Sequence, residues 1–284
     1  MRKSTPSVSI GLPVYNGETY IREAIDSILS QTYVDFELII VDNASTDQTQ
    51  KICLAYTDKD DRVRYIRNPH NVGAAENHNR AFRLSRSKYF KWAAHDDIIA
   101  PEYLSKCVSA LEQDSSIALC QTLTLRIDEK GVPSKKSHFL IRENSDKLYL
   151  RFGDLIKFNY PVFQIHGVIR HSVLKNTHLF GNYIGADRNL LAEIALQGRL
   201  FTISEYLFFN RYYPDRYSLK YFNRPYPDYQ SAWRWWTPAQ PVKLPYLKRF
   251  TEYFFSVNNA SLTTLERLLC YTQIAKLLLT VGWR

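Results

Sequence analysis

Two adjacent carboxylates, Asp96 and Asp97, follow the apolar and aromatic stretch Tyr89 to Ala94 within Ser87-Lys-Tyr-Phe-Lys-Trp-Ala-Ala-His-Asp-Asp-Ile98. Acids at the mouth of a buried strand are costly. Each needs water, a cation or a proton, and like charges side by side raise the cost. A hard divalent cation held between one carboxylate and a phosphate would remove that cost. A solvent-exposed turn would avoid it with no chemistry at all, so position alone leaves both readings open. A third acid, Asp42, ends another apolar run, Phe36-Glu-Leu-Ile-Ile-Val41. A fourth, Asp187, follows Gly185-Ala186 at the head of a segment whose Leu190, Leu191, Ile194 and Ala195 keep helical phase, and there it can cap the helix.

Regular elements must hold these acids. Val8-Ser-Ile-Gly-Leu-Pro-Val14 predicts a strand that turns at Asn16-Gly17, and Ile21, Ile25, Ile28 and Leu29 mark one face of a helix. Phe36 to Val41 is nearly continuous in its apolar character, as in a parallel strand covered on both faces, and Ser45, Thr46 or Asp47 can cap a helix running through Cys53. A strand over Val63 to Ile66, a turn at Asn71-Val-Gly73 and a helix from Ala74 to Leu84 precede the Asp96-Asp97 strand. After it come a helix from Pro101 to about Gln113 and a strand over Ile117 to Leu123. This alternation predicts an α/β fold with a mostly parallel central sheet flanked by helices. Ligands of such sheets bind beyond the carboxyl ends of the strands, the edge to which Asp42 and Asp96-Asp97 both belong.

From residue 124 the pattern loosens. Asp128 to Gly131 reads as a hairpin-like turn, Lys135 to Asn144 as a polar loop, Lys147 to Phe158 as a helix and Pro161 to Ile169 as a strand, with further short strands over Leu200 to Ser204 and Tyr206 to Tyr212. Beyond lies an aromatic, basic stretch, 213–284, that carries Trp233, Trp235 and Trp236 and predicts helices after Pro245, including Leu262 to Leu279. In that last helix the leucines alternate with Arg267 and Lys276. Such a helix can lie on an anionic membrane, cover the sheet or form the face of a homodimer.

The 284 residues allow one large domain or two small ones, and 45% hydrophobic with 23% charged residues is ordinary for a globular chain. A formal charge of +9 favours anionic partners without choosing between nucleotides, nucleic acid and phospholipid. Cys53, Cys107, Cys120 and Cys270 show neither disulfide-like nor zinc-like spacing, which suits free thiols in a reducing compartment. Met1 to Pro6 leads directly into the first strand with no signal-type apolar region, and no apolar run is long enough to span a bilayer. The expected location is therefore cytoplasmic, or the inner face of the membrane if the last helix binds lipid.

Pro13-Val-Tyr-Asn-Gly17, Val41-Asp-Asn-Ala-Ser-Thr-Asp47, Asn71-Val-Gly73, His95-Asp-Asp97 and Gly185-Ala-Asp-Arg188, in this order, resemble the family 2 glycosyltransferases, which have the nucleotide-diphospho-sugar transferase (GT-A) fold. The resemblance covers residue 7 to about 212. It implies a transferase domain over 1–212, with 213–284 as a partly helical extension. It implies transfer of a sugar from a UDP-, GDP- or dTDP-linked donor to a glycan or lipid-linked acceptor, usually with inversion. By that resemblance Asp42 reads the base or ribose, Pro13, Val14, Tyr15 and Asn16 line the same pocket, and Asn71 and Asn77 lie near the nucleotide or merely close turns. The metal motif maps onto His95-Asp96-Asp97: Asp97 would bind Mn2+ or Mg2+ across the donor phosphates, and Asp96 would hold ribose or sugar. His95 stands where an acid is often found. Asp187 matches the general base, whereas Ala186 replaces the acid that commonly precedes it. His166 is a candidate for contact with the acceptor or the sugar, or for a satisfied core histidine, His78 for a packed helix residue, and Arg80 or Arg188 for assisting the leaving group.

Two other classes compete. A nucleotidyltransferase of related fold would carry a glycine-rich basic loop after its first strand, and Pro13 to Glu18 is not one. A sugar- or nucleic-acid-binding module would not need Asp97 and Asp187 together, and the chain has no RNP-type motif, so nucleic acid is not an expected partner.

Overall fold

The computed structural model describes residues 5–137, 141–157, 161–216, 220, 229–238 and 245–280. In chain order the first half runs β1 (Val8–Val14), α1 (Ile21–Leu29), β2 (Phe36–Asp42), α2 (Thr49–Thr57), β3 (Val63–Arg67), α3 (Ala74–Arg83), β4 (Tyr89–Trp92), β5 (Ile98–Ile99), α4 (Tyr103–Gln113) and β6 (Ile117–Ile127). Then follow β7 (Pro133–Ser137), α5 (Leu148–Leu155), a 3-10 turn (Phe163–His166), β8 (Val168–Arg170), α6 (His171–Lys175), α7 (Ala186–Gln197), β9 (Arg199–Arg211), α8 (Tyr229–Trp236), α9 (Pro245–Asn259) and α10 (Thr264–Thr280).

One sheet runs β3-β2-β1-β4-β8-β6-β9-β5, with β7 hairpinned onto β6. Strands β3, β2, β1 and β4 are parallel, as are β6 and β9, while β8, β5 and β7 pair antiparallel with their neighbours. The pleat divides β2 between two cores. Leu38 and Ile40 pack with Ile21, Ile25, Ile52 and Leu104 on one face, and Ile39 and Val41 pack with Ala81, Phe82, Leu190 and Ile194 on the other. Both faces are covered, which is why the strand reads as a nearly continuous apolar run.

Helix α7 is enclosed on all sides. Leu190, Leu191 and Ile194 face the sheet, whereas Ala192 and Leu196 join Phe152, Phe250, Tyr253, Cys270 and Ile274 in a third cluster built with α5, α9 and α10. The last helix thus buries Cys270, Ile274 and Leu277 within the fold, while Leu265, Leu268 and Leu279 point to solvent. No helix of the described residues is long and apolar enough to cross a membrane.

Several expectations change. Pro161 to Ile169 is a 3-10 turn followed by the three-residue β8, and at the join Gly167 lies so close to the Cys120 carbonyl and the Leu119 side chain that a Cβ would clash with both. The start of the expected polar loop, up to Ser137, lies in β7. Residues 138–140, and Phe158 at the end of the expected α5, lie outside the described residues. The two strands expected after residue 200 are one bulged strand, β9, paired along β6. Asp187 is not the N-cap of α7: Gly185 holds that position at φ 88, and the Asp187 carboxylate accepts the adjacent Arg188 N–H at 2.8 Å.

Candidate active site

Beyond the carboxyl ends of β1, β2 and β4 lies a cavity of about 1180 Å³. One wall comes from the ends of those strands: Pro13, Val14, Tyr15 and Asn16 after β1, Asn43 after β2, and His95 and Asp96 after β4. Asn71 and Asn77 complete it from the turn and first residues of α3. The opposite side is formed by Asp187 at the head of α7 and by Phe163 and His166 of the 3-10 turn.

Side chains lock the two strand-end loops together. Ser45 Oγ accepts the Asn16 N–H at 2.9 Å, Thr49 Oγ1 accepts the Gly17 N–H at 2.8 Å, and Asn16 Oδ1 accepts the Thr46 N–H at 2.8 Å. Asn16 takes φ 52 to do so, a conformation that asparagine tolerates better than most residues. A chain of amides then ties this corner to α3. Asn43 donates to Asn71 at 2.8 Å, Asn68 donates to both Asn43 and Asn77, and Asn77 donates to the Val41 carbonyl at 2.9 Å.

Asp42 does not reach the cavity. Its side chain is fully buried, and its two oxygens accept the Ser45 N–H and hydroxyl, the Tyr65 hydroxyl at 2.5 Å and Arg67 Nη1 at 2.7 Å. The pleat turns Asp42 toward its register partner Arg67 on β3, and the next residue, Asn43, faces the space that the resemblance assigned to Asp42. In this structure Asp42 braces the loop from below.

Asp97 is also held behind the wall. The antiparallel pair Ile98↔Phe209 sets it beside Asn210 and Arg211. Its carboxylate accepts the Arg211 N–H at 2.9 Å, the Asn210 side-chain amide at 3.2 Å and the Arg216 guanidinium at 3.1 and 3.4 Å. Asp96, on the cavity side, accepts the Tyr213 hydroxyl at 3.0 Å and lies 3.7 Å from Arg216. Burial is the largest influence on Asp97 and raises its pKa; Arg216 opposes this and the Asp96 charge adds to it. For Asp96, burial works upward too, but Arg216, His95 and Tyr213 outweigh it and the net direction is down.

Arg211 fixes this turn from inside the fold. It is fully buried, and it donates to the carbonyls of Asp96 at 3.0 Å and Glu129 at 2.9 Å and to the Glu23 carboxylate at 2.5 Å, while lying over the Tyr20 ring. Arg211→Met keeps the stem but leaves the buried Asp96 carbonyl without its donor and removes the bonds to Glu129 and Glu23. We expect a loss of roughly 3 kcal/mol of stability, read by urea denaturation. A loss below about 1 kcal/mol would show that water replaces the guanidinium.

The far wall is held from β4. Lys91, buried in that strand with its pKa pushed down to about 8 by burial, donates to the His166 carbonyl, which also accepts the Tyr103 hydroxyl at 3.0 Å. The His166 ring stacks on Phe208, and burial, with Lys91 nearby, pushes its pKa down to about 3. His78, packed on Phe180 with Nδ1 at 2.7 Å from the Ala74 carbonyl, is pushed down to about 4, also by burial. Both imidazoles are therefore held toward the neutral form, and among the described residues Arg126, Arg216, Lys220 and Arg234 bring permanent positive charge to the cavity wall. Arg80 donates to Asn68 and Arg188 to the Lys157 carbonyl, and neither lines the cavity.

Among the described residues no group of three or more His, Cys, Asp or Glu side chains could hold a metal by itself. That suits Mg2+ or Mn2+, which are commonly held by one or two carboxylates with substrate phosphates and water completing the shell. Asp96 and Asp97 are hard oxygen donors of this kind, their charge offset in part in this structure by one cation, Arg216. Sequence reasoning missed Asn43, Tyr213 and Arg216. Asn43 could have been found as the neighbour of a strand-end acid, but Tyr213 and Arg216 carry no local signal.

Taken together, the fold and the position of its cavity define the class, a GT-A type α/β protein. Staphylococcus aureus TarS (residues 1–349), crystallised in complex with UDP, superposes with a TM-score of 0.66 at 19% identity, covering 96% of this chain and 70% of that one. The Pyrobaculum calidifontis mannosyltransferase PcManGT, solved with GDP-Man and Mn2+, gives 0.57 at 17% identity over 98% of this chain and 76% of that one. The profile of Glycosyl transferase family 2 matches residues 9–176, more than half of the sequence, and the chain belongs to that family. An uncharacterised glycosyltransferase of Rickettsia prowazekii is 36% identical over 145 residues, 51% of this chain and 40% of that protein, so this match spans less than half of the relative's own length.

Proposed function

We propose that the chain transfers a sugar from a nucleoside diphosphate donor to a hydroxyl of a glycan or lipid-linked acceptor, with inversion at the anomeric carbon. The observation that carries this reading is the single cavity in which the β1, β2 and β4 strand ends, with Asp96, face Asp187. The donor's nucleoside would lie along Pro13 to Asn16 and the asparagine corner, with Asn43 and Asn71 presenting amides to the base and ribose. Its diphosphate would lie toward Asp96 and Asp97, which would hold Mn2+ or Mg2+. A divalent ion there would offset the negative charge that builds on the departing diphosphate. Asp187 would accept the proton of the attacking hydroxyl, a task for which position within hydrogen-bond reach matters first. His166, neutral and at the far wall, is suited to hydrogen-bond sugar hydroxyls.

Incubation of the purified protein with a panel of UDP-, GDP- and dTDP-sugars and Mn2+ or Mg2+ tests the reading. Slow, metal-dependent release of the nucleoside diphosphate by water attack is expected with at least one donor. No release from any of them, together with no metal-dependent nucleotide binding, would sink it.

A further inference from the structure

The carboxylate of Asp97 is saturated by protein. An ionised carboxylate offers about four lone-pair sites, and here it receives the Arg211 N–H, the Asn210 amide and both terminal nitrogens of Arg216. A cation cannot bind Asp97 directly unless one of these partners leaves. The Arg211 N–H is backbone of β9, and Asn210 is buried in the same strand. Arg216 differs from both: it lies beyond the strand end, its side chain keeps some exposure and it lines the cavity. It also donates to the Arg211 carbonyl, a bond that its departure would break as well, and of the three partners it alone lies outside β9.

Resting on the donor reading above, we propose that Arg216 is an exchangeable counter-ion. It holds Asp97 while no donor is bound, and it moves onto the donor diphosphate when a divalent cation takes the carboxylate. Two cations cannot share one carboxylate face without strong repulsion at such distances. A planar guanidinium released beside a diphosphate finds a second bidentate partner of the same charge sign as the first. The exchange keeps a cation beside the adjacent acids at every stage, and it makes metal and nucleotide each strengthen the binding of the other.

Mn2+ binding followed by the loss of its free-ion electron paramagnetic resonance signal tests this without any turnover. In protein alone, Arg216→Gln is expected to bind Mn2+ more tightly than the wild type, on the order of tenfold, because its rival for Asp97 is neutral. With UDP, GDP or dTDP present, the same variant is expected to lose most of the nucleotide-induced gain in Mn2+ affinity. Arg216→Lys, which keeps a charge but cannot fork, should stay near the wild type with Mn2+ alone and fall below it with nucleotide. If Arg216→Gln melts cooperatively yet binds Mn2+ alone no more tightly than the wild type, the exchange does not occur. If that variant does not fold, an Arg216→Lys protein identical to the wild type in both titrations overturns it equally. Failure of the wild type to bind any nucleoside diphosphate with Mn2+ would instead sink the donor reading, so the two failures are distinguishable.

Discussion

Asp187→Asn is expected to cut turnover about 100-fold or more while leaving donor affinity within a few-fold of the wild type, the loss usual for a missing general base. The residue is well placed for so selective an effect. Helix α7 is gripped from both sides by Leu190, Leu191 and Ile194 against the sheet and Ala192 and Leu196 against α9 and α10, so the head of the helix is held firmly over the cavity. Gly185 permits the turn into it: at φ 88, a Cβ there would also lie within 2.7 Å of the Arg249 guanidinium. Asparagine retains an oxygen for the Arg188 N–H that Asp187 now accepts at 2.8 Å, so the helix start survives the change. What is lost is the ability to take a proton. Donor titration alongside the initial rate separates the two effects, and turnover within about tenfold of the wild type would remove Asp187 from the reaction.

The second large effect concerns Asp97. We expect Asp97→Asn to abolish the metal dependence of donor binding, so that adding Mn2+ no longer tightens a nucleotide titration. The amide offers one neutral oxygen where the carboxylate offers two charged ones, and it turns N–H groups toward Arg216 and Asn210, which are themselves donors. A hard divalent cation gains little from such a ligand. The same clash of donors is expected to cost about 1–3 kcal/mol of stability, so a thermal melt accompanies the titration. A variant whose nucleotide affinity still rises with Mn2+ as in the wild type would move the metal site elsewhere. With Asp97 in the proposed role of cation ligand and Arg216 in that of its rival, Asp97→Asn and Arg216→Gln are expected to shift Mn2+ affinity in opposite directions.

Asp42 and Asp97 show how far a strand pattern reaches. Phe36 to Val41 and Tyr89 to Trp92 were legible as core strands, because covering both faces of the sheet leaves their sequences mostly apolar or aromatic, with Glu37 and Lys91 as the exceptions. Where those runs stop, a polar site at the sheet's carboxyl edge follows. Which of two neighbouring residues faces the ligand does not. Side chains alternate along a strand, so Asp42 inherits the direction of Ile40 and meets Arg67, while Asn43, just past the strand, looks into the cavity. Similarly, Ile98–Ile99 is too short to stand out as a strand, yet its pairing with β9 sets Asp97 beside Asn210 and Arg211.

The amino-acid order was enough to dictate the alternating elements, the edge of the sheet where acids gather, and the likeness to family 2, because each rests on neighbours a few residues apart. The partners of those acids were a matter for the folded chain alone. Arg216 stands 119 residues from Asp97, and Asp187 meets the β-strand ends only across the cavity. Contacts of that span depend on how β9 runs back beside β5 and how α7 is wedged between two cores, and no local periodicity records either path.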